Sequence, residues 1–598
     1  MMNFETRDQI EERYRWDLES VFASDEEFLA ALDDAQRFPA EAASFQGKIS
    51  QSPEQLLAFL KADEQAGLAI GKLVTYSQRK SDEDTRNATY QDYAGRVMDL
   101  YTQIAMASSW STPELLTLGE DDTERFYREC PELEPFRRAL DRVFRQREHT
   151  LSPAEEAILA RASDMARQPE NIFSLLNNAD MRFDDAIDAQ GAAHPVTHGT
   201  YIPLMMQPDR TLRESAFKSM YAAYDQLQNT CAATLQAQLK SQKFYADVRN
   251  FGSTLEGALH GTEVPTEVYT SLIEAVHRHL PALHKYIGLR KRLLGLDELH
   301  YHDLYVPVVE DVEMSFTYEE ACELILEALA PMGEEYLAIV REGLASRWID
   351  VYETPGKRSG AYSAGGYGMH PFILLNFQGQ LEDVYTLIHE MGHSIHTYLS
   401  CQNQPPVYAD YVIFVAEVAS TCNEALLTRH LLAKYADDPR LRAYILNHFL
   451  EQFRTTLYRQ CMFAEFELMT NEMVAAGQGI TAEALCERYG QLNIDYQGPE
   501  IEADEQISLE WARIPHFYYN YYVYQYATGF AAAIALSEQI LGEGAPAVER
   551  YLGFLKGGSS KTPIELLQGA GVDMATPAPI DEALELFDKL VDELADLL

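Results

Sequence analysis

The stretch His389-Glu390-Met391-Gly392-His393 decides the reading of this chain. Its two histidines are four residues apart. On an α-helix that spacing puts both side chains on one face, about one turn from each other. Two neutral imidazoles so placed can share a divalent metal ion, and Zn²⁺ takes nitrogen and carboxylate ligands in a near-tetrahedral array. Glu390 follows the first histidine and falls on the same side of the helix. A carboxylate there can accept a proton from water at the ion.

The flanks read as a buried helix. Leu381, Val384, Tyr385, Leu387 and Ile388 recur upstream at helical spacing. Polar groups entering such a helix need partners, because unpaired polar atoms are costly to bury. The alternative is an ordinary helix that carries these residues by chance, and the apolar flank disfavours it.

A third ligand is required. His396 lies seven residues beyond His389, about 10 Å along a helix, too far for one ion with ligand bonds of about 2 Å. It is expected to be a packed histidine. The metzincin pattern also fails, since His396 and Leu399 occupy the positions of its Gly and third His. Glu417 fits better. It is a lone carboxylate in the apolar run Tyr411-Val-Ile-Phe-Val-Ala-Glu417-Val-Ala-Ser-Thr-Cys422, where an ionised group is costly unless a cation meets it. A salt bridge to a buried Arg is the alternative. Asp410 follows the Pro405-Pro406 break and reads as a helix N-cap. Glu424 shares the face of Glu417 and could accept the free ring N–H of a ligand histidine.

The array His389-Glu390-x-x-His393 with Glu417 in Phe414-Val-Ala-Glu417-Val-Ala-Ser resembles the thimet oligopeptidase family of zinc peptidases, and within it the oligoendopeptidase F branch. Similar stretches are Lys357-Arg-Ser-Gly-Ala-Tyr-Ser363, Arg513-Ile-Pro-His-Phe-Tyr-Tyr519, Tyr522-Val-Tyr-Gln-Tyr-Ala-Thr-Gly529, Leu555-Lys-Gly-Gly-Ser559 and Arg15-Trp-Asp-Leu18. The resemblance implies a mainly α, zincin-like metallopeptidase. Its two largely helical halves would enclose a deep substrate channel, with small β elements near the active site. It also implies one Zn²⁺ per chain, held by His389, His393 and Glu417, and short unstructured peptides as substrates.

The chain has 598 residues, ordinary apolar content and a net charge of −45. That charge disfavours nucleic acid and anionic membranes as partners. Seven scattered cysteines without a CxxC suit a reducing compartment. The charged N-terminus does not read as a signal peptide, and no apolar run approaches the ~20 residues of a membrane helix. The expected location is cytoplasmic.

In chain order, residues 1–190 read as a helical domain. One amphipathic segment runs from Ser52-Pro53 to about Thr75 and another from about Tyr90 to Met106. Strand signals near 181–205, from Arg182 to Asp188 and from His194 to Ile202 around Gly191, suggest a hairpin. Residues 206–598 read as the catalytic domain, opening on a helix from about Asp209 to Phe244. The glycine-rich Gly360–Gly368 stretch lacks the Lys-Ser/Thr ending of a phosphate loop. Pro371–Phe377 reads as a strand that could pair with the backbone of an extended peptide, or as a core strand.

A second cluster runs from His516 to Tyr526, with tyrosines at 518, 519, 521, 522, 524 and 526. Hydrolysis of a peptide bond develops an oxyanion that needs well-placed donors. Tyrosine-rich helices also pack cores. The family resemblance assigns His516, Tyr524 and Tyr521 to transition-state stabilisation. The expected reaction is endopeptidase cleavage of short oligopeptides, with Glu390 as general base and then acid. Two rivals are a zinc carboxypeptidase on the same scaffold, with Arg513 as the nearest cation for a terminal carboxylate, and a non-catalytic peptide- or metal-binding protein.

Overall fold

A computed structural model of the chain describes residues 4–309 and 314–598; Met1–Asn3, the tip of the charged N-terminus, lie outside it. The chain is mainly α, with small sheets. It forms two compact units, each made of three separate segments. The first takes residues up to Pro153, then Met314–Leu427 and Leu536–Gly571; the second takes Ala154–Glu313, Thr428–Ala535 and Val572–Leu598. Consecutive domains of 1–190 and 206–598 are therefore not what forms, and the expected boundary falls inside the second unit.

In the first unit, α1 (Pro53–Glu83) starts where the Ser52 side chain caps the Gln55 N–H and Pro53 occupies the first turn. It runs two turns past the periodicity because its last turns bury polar Ser77, Arg79 and Asp82 beside Tyr76. It pairs with α2 (Ala88–Ser108). Their apolar faces close over Trp16, Phe22 and Phe28, and Phe28 stacks between Tyr76 and Tyr93.

This core continues onto a three-stranded sheet of β1 (Ile349–Asp350), β2 (Tyr362–Ala364) and β3 (Phe372–Leu374) in the order β1-β3-β2. The β1–β3 pair is parallel and β2–β3 antiparallel, with Ser363 opposite Ile373. Both edges of β3 are thus already paired. The expectation that Pro371–Phe377 pairs with substrate is corrected: its apolar run reflects burial in the middle of the sheet, and the edge strand is β2. Asp350 is buried in β1, where Lys357 Nζ pairs with it at 2.8 Å and Arg7 also bonds it. Lys357 also donates to the carbonyls of Asp350 and Tyr352.

Next follow α3 (Leu381–Asn403), which carries the His-Glu-x-x-His motif, and α4 (Ile413–Lys434), which carries Glu417. The Asp383 carboxylate accepts the Gln380 N–H to start α3. Leu381, Val384, Leu387, Ile388, Met391, Ile395 and Leu399 form its buried face. Because α4 begins at Ile413, Asp410 precedes its first turn and bonds the Tyr411 N–H instead of capping.

In the second unit the hairpin near 181–205 is shorter than expected. Ala186–Ile187 pairs antiparallel with Ala193–His194 around Gly191, which takes a positive φ. The second strand stops there because Thr197 and Thr200 form a reciprocal cap that starts a helix at His198. The helix expected from Asp209 is present as Arg210–Val248, with Asp209 as its cap. All seven cysteines are free thiols. Among the described residues, no helix is long and apolar enough to cross a membrane.

Candidate metal centre

Both motif histidines point to one spot. Their Nε2 atoms are 3.1 Å apart, and Glu417 Oε2 lies 3.5 Å from one and 3.6 Å from the other. A tetrahedral ion with bonds of about 2.0–2.1 Å has ligand–ligand edges of about 3.3–3.4 Å. The three atoms therefore fit such an ion, with the fourth position left for solvent or substrate. The centre is half-buried, with the side chains of His389, His393 and Glu417 at 26%, 18% and 37% exposure.

Each histidine is held from its other side. His389 Nδ1 bonds Glu424 Oε1, and the His393 ring bonds the Ala416 carbonyl. Both bonds turn Nε2 toward the shared point. Burial opposes a charge on His389, but Glu424 outweighs it and raises the pKa to about 9. Burial and the neighbouring His389 take His393 down to about 4. On α4, Ser420 Oγ donates to Glu417, both to its carbonyl and to Oε2.

Glu390 is buried beside the three ligands. Burial pushes its carboxyl up to about 7; His389 and the Ser363 N–H pull it down, and the Glu417 charge adds to the rise. The Ser363 N–H belongs to edge strand β2, and Ser363 Oγ also meets Ser394 Oγ on α3 at 2.8 Å. The motif helix and the edge strand are thus joined at the proposed base.

Two residues that sequence reasoning missed set the helix spacing. A Cβ on Gly392 would lie 2.6 Å from Ser420 Cα and 2.8 Å from the Ala419 carbonyl oxygen, so only glycine lets α3 and α4 approach this closely. A glycine in mid-helix was the available signal. Asn423 donates to the Ile388 carbonyl and accepts from the Tyr336 hydroxyl, bonding α4 to α3 in the core. His396 is packed as expected. It is fully buried, stacks on Tyr411 with centroids 3.7 Å apart, and is held down to about 3 by burial.

The second cluster lies in the second unit and divides into two sets. Tyr521 and Tyr524 are core residues: both pack on Tyr269, and the Tyr521 hydroxyl meets Thr254 Oγ1 at 2.9 Å. Neither is in ring contact with His516. The rings around His516 are Tyr519, Tyr522 and Tyr526. A non-helical turn with positive φ at Asn520 and Tyr521 decides which side chains share a face here, and it turns Tyr521 and Tyr524 toward Tyr269 rather than toward the His516 ring. Burial lowers the His516 pKa and favours neutral imidazole. Arg513 lies over the Tyr201 ring and faces Glu510 at 3.6 Å, so the cation suggested for a terminal carboxylate is already engaged.

The model of the family described as "Peptidase family M3" matches residues 203–586, which include every residue of both clusters. The chain belongs to peptidase family M3. It is a metallopeptidase, a hydrolase of peptide bonds. A second model, described as "Oligopeptidase F", matches residues 114–183. The peptidase is 45% identical over 592 residues to oligopeptidase PepF of Bacillus subtilis, covering 99% of this chain and 88% of that one. It is 42% identical over 594 residues to group B oligopeptidase PepB of Streptococcus agalactiae, covering 99% and 98%. Its fold superposes on the crystal structure of oligoendopeptidase-F from Enterococcus faecium with a TM-score of 0.75 at 38% identity, over 96% of this chain and 99% of that one.

Proposed function

We propose that this M3 peptidase is a zinc endopeptidase of the oligoendopeptidase F branch, cutting internal bonds of short, unstructured peptides. The observation that carries the reading is the convergence of His389, His393 and Glu417 on one point, with buried Glu390 beside it. The names of its full-length relatives support an oligopeptide substrate. The engaged state of Arg513 speaks against the carboxypeptidase alternative, and the intact Glu390 against a non-catalytic one.

When bound, the ion supplies Lewis-acid polarisation and makes water more acidic. His389, His393 and Glu417 would hold it. Glu390 takes a proton from the attacking water and returns it to the leaving amine. A carboxyl raised toward neutrality suits both roles. Edge strand β2, whose Ser363 N–H is held by Glu390, has no strand on its outer side among the described residues and can meet the peptide backbone there. The family resemblance gives His516 the part of an oxyanion donor, and the neutral imidazole that its burial favours suits that part. Zinc is favoured over harder ions by the two-nitrogen, one-oxygen donor set.

Mass-spectrometric mapping of cuts in a mixed peptide library tests the specificity. Internal cuts in C-terminally blocked peptides are expected; loss of cleavage on blocking would favour the carboxypeptidase. Glu390→Gln should keep the metal and lose turnover by several orders of magnitude. His516→Ala should keep the metal and lower kcat about 10²-fold. Near-normal kcat in either variant removes that residue from the mechanism.

A further inference from the structure

A second group of nitrogen and carboxylate ligands stands in the second unit. One ligand atom each from His300, His302 and Asp504 lie within 4.8 Å of one another, as those of His389, His393 and Glu417 do. Two chain segments bring them together. Leu299 and Ile501 form a parallel bridge, and the Glu502 N–H bonds the Leu299 carbonyl at 2.8 Å. Beyond that bridge the chain turns into a short 3₁₀ segment, Tyr301–Asp303, with His300 as its N-cap residue and His302 within it. Those rings are nearly parallel, 9° apart, with centroids 5.1 Å from each other.

The second segment contributes Asp504. Its Oδ2 accepts the Tyr301 N–H at 2.9 Å, and its Oδ1 faces His300 Nδ1 at 2.8 Å. The carboxylate is therefore fixed in place against His300 and the Tyr301 backbone, within 4.8 Å of a His302 ring nitrogen. Asp303, the nearest other acid, is already taken: it is fully buried and bonded by Arg210 and Arg213. His302 is buried, and its Nε2 is 3.7 Å from Asp303 Oδ2, beyond hydrogen-bond reach. His300 and Asp504 keep 24% and 16% exposure, so an ion can enter from solvent.

We propose that His300, His302 and Asp504 form a second divalent transition-metal site, separate from the His389–His393–Glu417 centre. Two imidazoles and one carboxylate suit Zn²⁺, Co²⁺ or Ni²⁺ better than Mg²⁺ or Ca²⁺. Binding needs a bare nitrogen on each ring. At His300 the proton moves from Nδ1 to Nε2, where Glu298 Oε2 lies 3.9 Å away and can receive it as a hydrogen bond on slight movement. The pair His300 Nδ1–Asp504 Oδ1 then opens by about 0.5 Å to the edge of a tetrahedral ion.

The ion would act as a clip. It would join Leu299–Asp303 to Ile501–Asp504, and the next residues, Glu505–Arg513, form the 3₁₀ segment that leads to His516. Occupancy would thus stiffen the base of the His516 loop without touching the reacting atoms.

The test counts metal in full-length protein stripped with chelator, reloaded with Zn²⁺ or Co²⁺ and freed of excess by gel filtration. The wild type should hold two equivalents and His389→Ala/His393→Ala one. Adding His302→Ala and Asp504→Asn to that variant should remove the last equivalent. The Co²⁺-loaded double variant should show weak visible bands that the quadruple variant lacks, and Zn²⁺ should raise its melting temperature. The milder His302→Gln, in the double-variant background, should weaken binding at least tenfold with unchanged circular dichroism. Absence of metal from the double variant overturns the second site, as does an unchanged equivalent in the quadruple variant or unweakened binding in His302→Gln. Loss of the first centre alone would show as one equivalent in both wild type and double variant, which leaves the second site standing.

Discussion

Glu424 holds the imidazole of His389 from behind, through Nδ1, while Nε2 of the same ring faces His393 and Glu417. The bond fixes the tautomer and orients the ligand nitrogen. Glu424→Ala should therefore lower zinc affinity about 10–100-fold, the range for losing such a partner. Titration against a metal buffer measures this. Activity at saturating zinc should fall less than affinity does. Unchanged affinity would show that His389 needs no support.

Gly392 controls how close the two ligand-bearing helices come. A methyl group there collides with the backbone of Ala419 and Ser420, which cannot swing aside as a side chain would. Gly392→Ala should destabilise the protein by about 1–3 kcal/mol and push Glu417 away from the two imidazoles. Thermal unfolding and zinc titration together check this. A stable variant with normal zinc affinity would mean that α4 shifts as a body without cost.

Glu467 gives a pH signature. It is buried, accepts the Tyr521 N–H at 2.6 Å, and its other oxygen has no hydrogen-bond partner. Burial raises its pKa to about 8, against the opposing Tyr521 bond. The folded protein keeps this proton where the unfolded chain has lost it, so stability from this group is complete below about pH 4.3 and falls as pH rises toward 8. The slope is about 1.4 kcal/mol per pH unit in that window. Glu467→Gln removes the titration. Its melting temperature relative to wild type should climb steadily from pH 5 to pH 8, and a constant difference would show that Glu467 is ionised throughout.

The convergence of His389, His393 and Glu417 was legible because its signals are local. A four-residue spacing places two histidines on one helical face, and a single acid in an apolar run, Glu417, marks a group that needs a cation. Glu424 was readable from its position on the same face. What the sequence did not yield depends on long-range pairing. An apolar run such as Phe372–Leu374 reports burial, yet does not say whether a strand is central or at the edge. The contact of Gly392 with Ser420 joins two helices whose approach no local pattern encodes. The same holds for Tyr521 and Tyr524: the family resemblance names them with His516, but the left-handed turn at Asn520 and Tyr521, which no local pattern marks, packs both on Tyr269. The boundaries between the segments that build each unit, near residues 153, 313, 427, 535 and 571, are not marked by composition either.

The most direct measurement is anomalous diffraction from crystals of the zinc-loaded protein, collected on both sides of the zinc absorption edge. A peak should lie about 2.0–2.2 Å from His389 Nε2, His393 Nε2 and a Glu417 carboxylate oxygen, with the Glu390 carboxylate facing the fourth position. A zinc-loaded crystal with no peak at that point, or one with Glu417 turned away from the ion, would contradict the account.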